Sequence, residues 1–520
     1  MTRRSVRFLL LSIVGTIVPS VPVFADPPQA GTYVTVPDVL TGPDGELQTA
    51  ERGLFFVPEN RAKRGGRIIP IHFLRFASLD ANSKQPPVFL LPGGPGSEWD
   101  FNEPDRFRDA QRLRQRRDVV YVSQRGNPKA PNLVPPLYFA RGGQALDRPR
   151  ASDRDRSALR KEVQSVQASW SEKGVDLAGY DIVNIVDDVY ELRSALAYDQ
   201  IILRACSFGS QWSLAYLKRW PATVQRAMLS GVEPLDYAYD SPKWLWASMQ
   251  RLAESAEADP QFAPLVPPDG LMAALVDVIA RLEAKPVEIE FTGPTGNEIS
   301  ITIGAYDLQR ELRSSFGETN RERYENWPRF ILELYNGDYR YLAVLAWQSR
   351  NPSRLPMIEL LIDNSLGISA HRDEELLQQR EARWLGDINA SYRNTRDLTL
   401  TPVVDDNFRA NQEIAVPVLL VNGDLDWSTP LENAKALLPS LQKGHLVTVT
   451  GAGHCPFEEL EELMPDAADN LYAFIDADLS GGKDKSFFDE LPDEITLPQF
   501  AFKRPVGPSL YDEWLAAQHH

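Results

Sequence analysis

The sequence predicts an α/β architecture, a mostly parallel central sheet flanked by helices with a large, mainly helical cap domain inserted into it, and three observations carry that prediction. Short apolar runs without alternation, Val119 to Val122 and Ile201 to Leu203, have the pattern of strands buried on both faces of a parallel sheet. Between them Ile182, Ile185, Val186, Val189 and Leu192 recur at helical spacing, as a crossover helix before the strand at Ile201 requires. From Pro234 to about Arg409 this rhythm stops and the text turns helical, with Leu271, Leu275, Val278, Ile279 and Leu282 on one face.

The elements follow in order. Arg3, Arg4 and Arg7 precede the apolar run Phe8 to Val18 and then Val23-Phe24-Ala25, the charge, apolar and small-residue order of a secretory signal peptide cleaved after Ala25. As a helix that run rises only about 16 Å, well short of a ~30 Å hydrocarbon core, so a secreted or periplasmic chain without a stable membrane anchor is expected. A polar, Pro-rich stretch leads to β-rich runs at Leu54 to Val57, Ile68 to Phe76 and Val88 to Leu91. A helix beginning after Gly209 ends at Pro221, and strands Arg226 to Leu229, Val418 to Val421 and Leu446 to Val449 complete the sheet. Inside the cap, Val287, Ile289 and Phe291 and then Ile299, Ile301 and Ile303 alternate about a Gly293 to Asn297 turn, which reads as a hairpin. Ser480 to Ser486 is a polar break before a C-terminal extension, and His519 and His520 form an exposed tail. The expected organisation is a signal peptide over 1–25, a core over 26–234, a cap over 235–409, the rest of the core over 410–478 and the extension over 479–520.

The chain of 520 residues is long enough to bury a large core beside an inserted second unit. Its formal net charge of −17 becomes more negative once the arginines of the signal leave, and such a field repels nucleic acid and anionic lipid. Two cysteines do not make a disulfide framework, so stability must come from the core. Cys206 and Cys455 each adjoin a candidate catalytic residue; they read as two small buried side chains pointing apart, the alternative being a bond between them. No His, Cys and acid cluster has metal-ligand spacing, and no cofactor is expected.

The chemistry gathers at strand ends. Leu203 to Ser210 runs from a strand through Ala205-Cys206-Ser207-Phe208-Gly209 into a helix, a small-x-Ser-x-Gly turn that lifts the Ser207 hydroxyl above the sheet edge. A serine hydroxyl is a poor nucleophile unless a base lies within hydrogen-bond reach and a third group orients that base. Of six histidines, His454 in Thr450-Gly451-Ala452-Gly453-His454 stands on a loop after the last predicted core strand; His72, His371 and His445 fall inside a strand, in the cap and at a strand start. The acid is expected after Val418 to Val421, where Asp426, three before Thr429-Pro430, is preferred and Asp424 is left to bond turn backbone. The order Ser207, Asp426, His454 is that of the α/β hydrolases. Leu91-Pro92-Gly93-Gly94-Pro95-Gly96 supplies bare backbone after a strand, so the oxyanion donors are expected to be the N–H groups of Gly94 and Phe208. That loop lacks the Lys-Ser/Thr of a phosphate-binding loop.

With Glu51-Arg52-Gly53, Val57-Pro58-Glu59-Asn60-Arg61, Gly93 to Gly96, Gln124-Arg125-Gly126, the Ser207 turn, Gly423 to Pro430 and Gly451 to His454 in hand, the chain resembles the proline iminopeptidase and tripeptidyl aminopeptidase branch of the α/β hydrolases. The likeness covers most of residues 50 to 475 and is thin in the cap; Pro92 and Ala205 depart from the usual His and Gly. The resemblance implies hydrolysis of short peptides from the amino terminus through an acyl-enzyme on Ser207, with carboxylates from or near the cap holding the free amine. Glu233, Glu311 and Glu318 are candidates for that role, a solvated surface acid being the plainer reading of each. Trp244, Trp246, Trp327, Trp347 and Trp384 read as core more than as pocket lining. The competing function is a carboxylesterase or lipase on small acyl esters, since one triad serves both bonds; a silent binding protein is a third.

Overall fold

The computed structural model describes residues 28–42, 45–96, 99, 108–126, 137–314, 321–398 and 400–518. The signal segment, Glu318, His519 and His520 lie outside them. Fourteen strands are seen among the described residues: β1 Tyr33–Thr41, β2 Leu47–Pro58, β3 Ile68–Phe76, β4 Val88–Leu91, β5 Val119–Val122, β6 Tyr138–Arg141, β7 Ile201–Cys206, β8 Val224–Ser230, β9 Val287–Thr292, β10 Glu298–Ile303, β11 Ser353–Pro356, β12 Val418–Gly423, β13 Gly444–Thr450 and β14 Glu494–Thr496. Ten of them form one sheet in the order β1-β2-β3-β5-β4-β7-β8-β12-β13-β14. Pairing is antiparallel from β1 to β5 and parallel from β5 to β14.

Burial explains this layout. β4, β5 and β12 are buried at every residue, so their apolar side chains must be covered on both faces, and the helices on either side do that. The crossover helix Ile182–Ala195 begins where the Asp181 carboxylate accepts from Asn184 N–H, and its apolar stripe is fully buried against the sheet. Helix Phe208–Arg219 lies on the same face, its Trp212 buried with that stripe. Helix Pro465–Asp476 closes the other face through Leu471, Phe474 and Ile475.

Between β8 and β12 the chain forms a helical layer with its own core, in which Leu271, Leu275, Val278, Ile279 and Leu282 of helix Leu271–Ala284 are buried. The expected hairpin is β9–β10, with Phe291 opposite Ile299, Ile289 opposite Ile301 and Val287 opposite Ile303. Trp327 is buried, Trp246 stacks on Trp384, and Trp347 meets Phe291 edge-on, so these indoles pack in or against the core, while half-buried Trp244 stacks on Tyr237 apart from it.

Three departures from the sequence reading have physical reasons. The N-terminal stretch contains β1, an edge strand exposed or half-exposed along its whole length, in which Pro37-Asp38 interrupts the apolar residues, so no continuous strand pattern is legible. Ser480 to Ser486 is not a break: after Gly481 and Gly482, both at positive φ, helix Lys483–Glu490 starts and buries Phe488. The C-terminal residues do not stand apart, because β14 extends the sheet beside β13, and Phe500, Leu510 and Tyr511 are buried in the core of the helical layer.

Candidate active site

The turn carrying Ser207 is shaped by its neighbours. β7 ends at Cys206 and the next helix starts at Phe208, two residues earlier than the sequence suggested, leaving Ser207 as its cap at φ 58° and ψ −136°. A non-glycine residue there costs on the order of 1–3 kcal/mol and persists because its surroundings hold it. Ser207 N–H donates to Ser230 O at 3.1 Å, while Ser210 N–H and its hydroxyl both donate to Ser207 O at 2.7 Å. A side chain at Gly209 would run into the carbonyl oxygens of Leu91 and Pro92, so glycine lets the helix sit against β4. Ala205, buried between Leu91 and Leu229 of the adjacent strands, fits without displacing either.

β12 and β13, neighbours in the sheet, end in the loops that carry Asp426 and His454. His454 Nδ1 lies 2.9 Å from Asp426 Oδ2, and Asp426 is fully buried. Ser428 N–H and Thr429 N–H donate to Asp426 Oδ1 at 2.8 and 2.7 Å, and the Thr429 hydroxyl donates to Oδ2 at 2.7 Å while standing 3.1 Å from His454 Nδ1. With the carboxylate on Nδ1, Nε2 is left as the basic nitrogen. Thr429 was not foreseen; its place three residues after the aspartate is a signal only when the loop is already known to bend back. Asp424 instead accepts from Gly451 N–H at 2.8 Å, bracing the histidine loop.

Cys206 and Cys455 are joined, with Cα atoms 5.9 Å apart, which corrects the reading of two side chains pointing away from each other. Their sequence separation of 249 hid a proximity that only sheet order creates. The bond ties the serine turn to the histidine loop one residue from each functional group, and its sulfurs are no longer thiolates available to a metal, although with His454 they form a close group.

Ser207 and His454 line one cavity of about 440 Å³ together with Gly93, Gly94, Ser230 and Ser428. Gly93 lies against the serine, a Cβ built there standing 3.1 Å from Ser207 Cβ. Gly94, at φ 45°, accepts at its carbonyl from Gln124 Nε2 at 3.2 Å, and Gly96 N–H donates to Gln124 Oε1 at 2.7 Å. That amide braces the loop that follows Pro92. Phe208 begins its helix, where first-turn N–H groups have no partner within the helix.

A second cavity of about 390 Å³, lined by Arg313, Glu359, Tyr392 and Trp427, meets the first at Ser428, which lines both. Glu359 and Asp387 line this second cavity with Arg310 and Arg313; Glu233, Asp240 and Asp363 do not line it but interact with Arg313, Asp363 being buried and Glu233, Asp240 and Glu359 half-buried. Burial, reinforced by their mutual repulsion, pushes the carboxyls of Glu233 and Asp363 well above the usual range, and burial raises those of Asp240 and Glu359. Arg313 pairs with Asp240, and the Tyr392 hydroxyl donates to Glu359 at 3.4 Å. Glu233 is therefore no solvated surface acid. Glu311 is also buried and accepts from the Ser314 hydroxyl at 3.2 Å.

A mostly parallel sheet with helices on both faces, and a serine turn, histidine loop and buried aspartate gathered at one edge, define the α/β-hydrolase fold, and the chain is a hydrolase. A family described as alpha/beta hydrolase fold matches residues 86–263, and one described as TAP-like protein matches residues 399–463. The chain has the α/β-hydrolase fold, and the TAP-like match spans the loops of Asp426 and His454. No curated protein matches it. Among solved structures it is similar to the proline iminopeptidase-related protein from Thermus thermophilus, at 14% identity and TM-score 0.34 over 82% of this chain and 98% of that one. It is also similar to a serine hydrolase from Cycloclasticus zankles, at 12% identity and TM-score 0.34 over 86% and 100% of the two chains. A third is the 2-hydroxy-6-oxo-6-phenylhexa-2,4-dienoate hydrolase from a Rhodococcus species, at 14% identity and TM-score 0.33 over 86% and 100%.

Proposed function

We propose that the chain is an exported serine hydrolase that removes N-terminal residues or short peptides. Ser207 attacks the scissile carbonyl, His454 takes the hydroxyl proton and returns it to the leaving amine, and Asp426 holds the imidazole and offsets its charge. The oxyanion is received by the N–H groups of Gly94 and Phe208. Water activated by His454 then releases the acyl group.

The observation that supports the peptidase reading is a cluster of carboxyls beside the cavity that adjoins the nucleophile's own. Glu359 and Asp387 line that cavity with Arg310 and Arg313, and Glu233, Asp240 and Asp363 add three carboxyls around Arg313, so carboxyls outnumber the two guanidinium groups, and desolvated carboxyls gain most from a positive partner. A substrate ammonium is such a partner, and one placed there fixes the distance from the chain end to the bond at Ser207. A disulfide beside the catalytic groups suits an oxidising compartment and supports export together with the N-terminal segment.

The deciding experiment compares amino-acid and tripeptide amides with short acyl esters, each with the amine free and acetylated. Amide cleavage that disappears on acetylation is expected. Fast ester turnover with no amide cleavage would overturn the peptidase reading in favour of a carboxylesterase.

A further inference from the structure

We propose that Tyr324, carried by the cap, is a positioning residue for His454 and Asp426, held in place by the C-terminal segment. The inference rests on the assignment of that pair as base and orienting acid.

Tyr324 lies near the start of helix Arg321–Tyr335 and is fully buried. Its hydroxyl donates to the carbonyl of Leu425 at 3.0 Å, and its ring meets Trp427 edge-on at 5.6 Å. Leu425 and Trp427 are the two residues flanking Asp426. The same ring covers Gly453, the residue before His454, where a Cβ would stand 2.6 Å from both Tyr324 Cε2 and the hydroxyl oxygen. One side chain from the cap thus rests on the loops of both catalytic groups, which are joined beneath it where Leu425 N–H donates to Ala452 O at 3.0 Å. Gly453 is glycine because the ring occupies the space a side chain would need.

The helix bearing Tyr324 is braced from outside the cap. Beyond β14, which pairs with the strand leading into the histidine loop, Ala501 N–H donates to Glu325 Oε1 at 2.9 Å and Lys503 N–H to Glu325 O at 3.0 Å. Phe500 meets the Tyr324 ring at 6.2 Å. One turn on, Arg329 pairs with Glu513 at 3.0 Å, and a turn further Glu333 accepts from Leu510 N–H at 3.2 Å. The C-terminal chain is therefore fastened at the sheet edge and again along the cap helix, which presses Tyr324 onto both loops. Proton transfer tolerates little misplacement, an error of about 1 Å being enough for a hundredfold loss in rate, so a contact shared by the acid and base loops sets kcat without touching substrate.

The test uses the full-length protein, p-nitrophenyl acetate as substrate and a fluorophosphonate probe for Ser207. Tyr324→Phe, which removes only the bond to Leu425, is expected to fold, to lower kcat about three- to tenfold with KM unchanged, and to slow labelling in parallel. Gly453→Ala is expected to cost about a hundredfold in kcat, and far less when combined with Tyr324→Ala, since the clash is then gone. Wild-type kcat and labelling in folded Tyr324→Phe, or an equal Gly453→Ala effect with and without Tyr324, would overturn the proposal. Ser207→Ala is run alongside: turnover retained there condemns the catalytic assignment itself, whatever Tyr324 does.

Discussion

At the scale of single residues, the site is a set of atoms held in place at a cost. Ser207 is kept at positive φ by bonds from Ser210 and to Ser230, and Cys455, next to His454, is also at positive φ, 57°. Ser207 and Cys455 both sit where chain direction must change abruptly at the sheet edge. If they serve the proposed reaction, Ser207→Ala or His454→Ala lowers kcat by a factor on the order of 10⁴ or more, and the double variant loses little further, because the groups act as one unit. Steady-state kinetics on the three proteins checks this; losses that multiply would contradict it. Thr429 offers a finer probe. Its hydroxyl completes the shell of Asp426, so Thr429→Val is expected to reduce kcat about ten- to a hundredfold, the worth of one hydrogen bond to a charged group, with melting temperature nearly unchanged.

At the scale of elements, motifs that carried the family resemblance in the sequence prove to be joints. Arg125 of Gln124-Arg125-Gly126 places Nε 2.8 Å and Nη2 2.6 Å from the two oxygens of Asp188, which lies on the crossover helix and is buried. Arg61 of Glu59-Asn60-Arg61 reaches the same carboxylate at 2.8 Å and Glu191 at 2.8 Å. Glu59 accepts from the Tyr180 hydroxyl at 2.8 Å. These bonds fasten the ends of β2 and β5 to the helix that precedes β7, and so set where the serine turn emerges. Desolvation alone would raise the Asp188 carboxyl, yet the two guanidinium groups hold it below the ordinary range. Removing one leaves a buried charge half matched, so Arg125→Met is expected to destabilise the protein by about 3–5 kcal/mol. Urea denaturation with an unchanged m-value would measure it, and a loss under about 1 kcal/mol would show that the helix docks without this joint.

At the scale of the whole molecule, two features link stability to conditions. The Cys206–Cys455 bond closes a very long stretch of chain, and in the entropy model such a crosslink contributes up to about 5 kcal/mol. Unfolded, unreduced protein should titrate for no free thiols, and reductant should lower the melting temperature; two titratable thiols would refute the bond. The carboxyl cluster works through pH. Glu233 and Asp363 hold protons more tightly folded than unfolded, because burial and neighbouring carboxyls raise them. Their contribution is therefore intact below about pH 4, the unfolded range, and is lost as pH rises through the raised values. Glu233→Gln, which cannot ionise, should gain melting temperature relative to the parent as pH goes from about 5 to about 8. A gap that stays constant over that range would show that Glu233 is not held protonated by the fold.

What the sequence by itself determined was whatever depends on short-range pattern: the doubly buried strands, the crossover helix, the β9–β10 hairpin, and the turn and loops at Ser207, Asp426 and His454. Each is written in apolar period, glycine placement or residue order within a few positions, and each lies where that pattern put it. Tertiary structure alone decided the rest. The exposed β1 is interrupted by Pro37-Asp38 and β14 is only three residues long, the joining of Cys206 to Cys455 follows from strand order across the sheet, and the gathering of Glu233, Asp240, Glu359 and Asp363 depends on how the cap folds over the core. The physical reason is that local backbone preferences act between neighbours in the chain. Desolvation and side-chain contact act between neighbours in space, and Tyr324 reaches Leu425 and Gly453 only because the chain returns on itself.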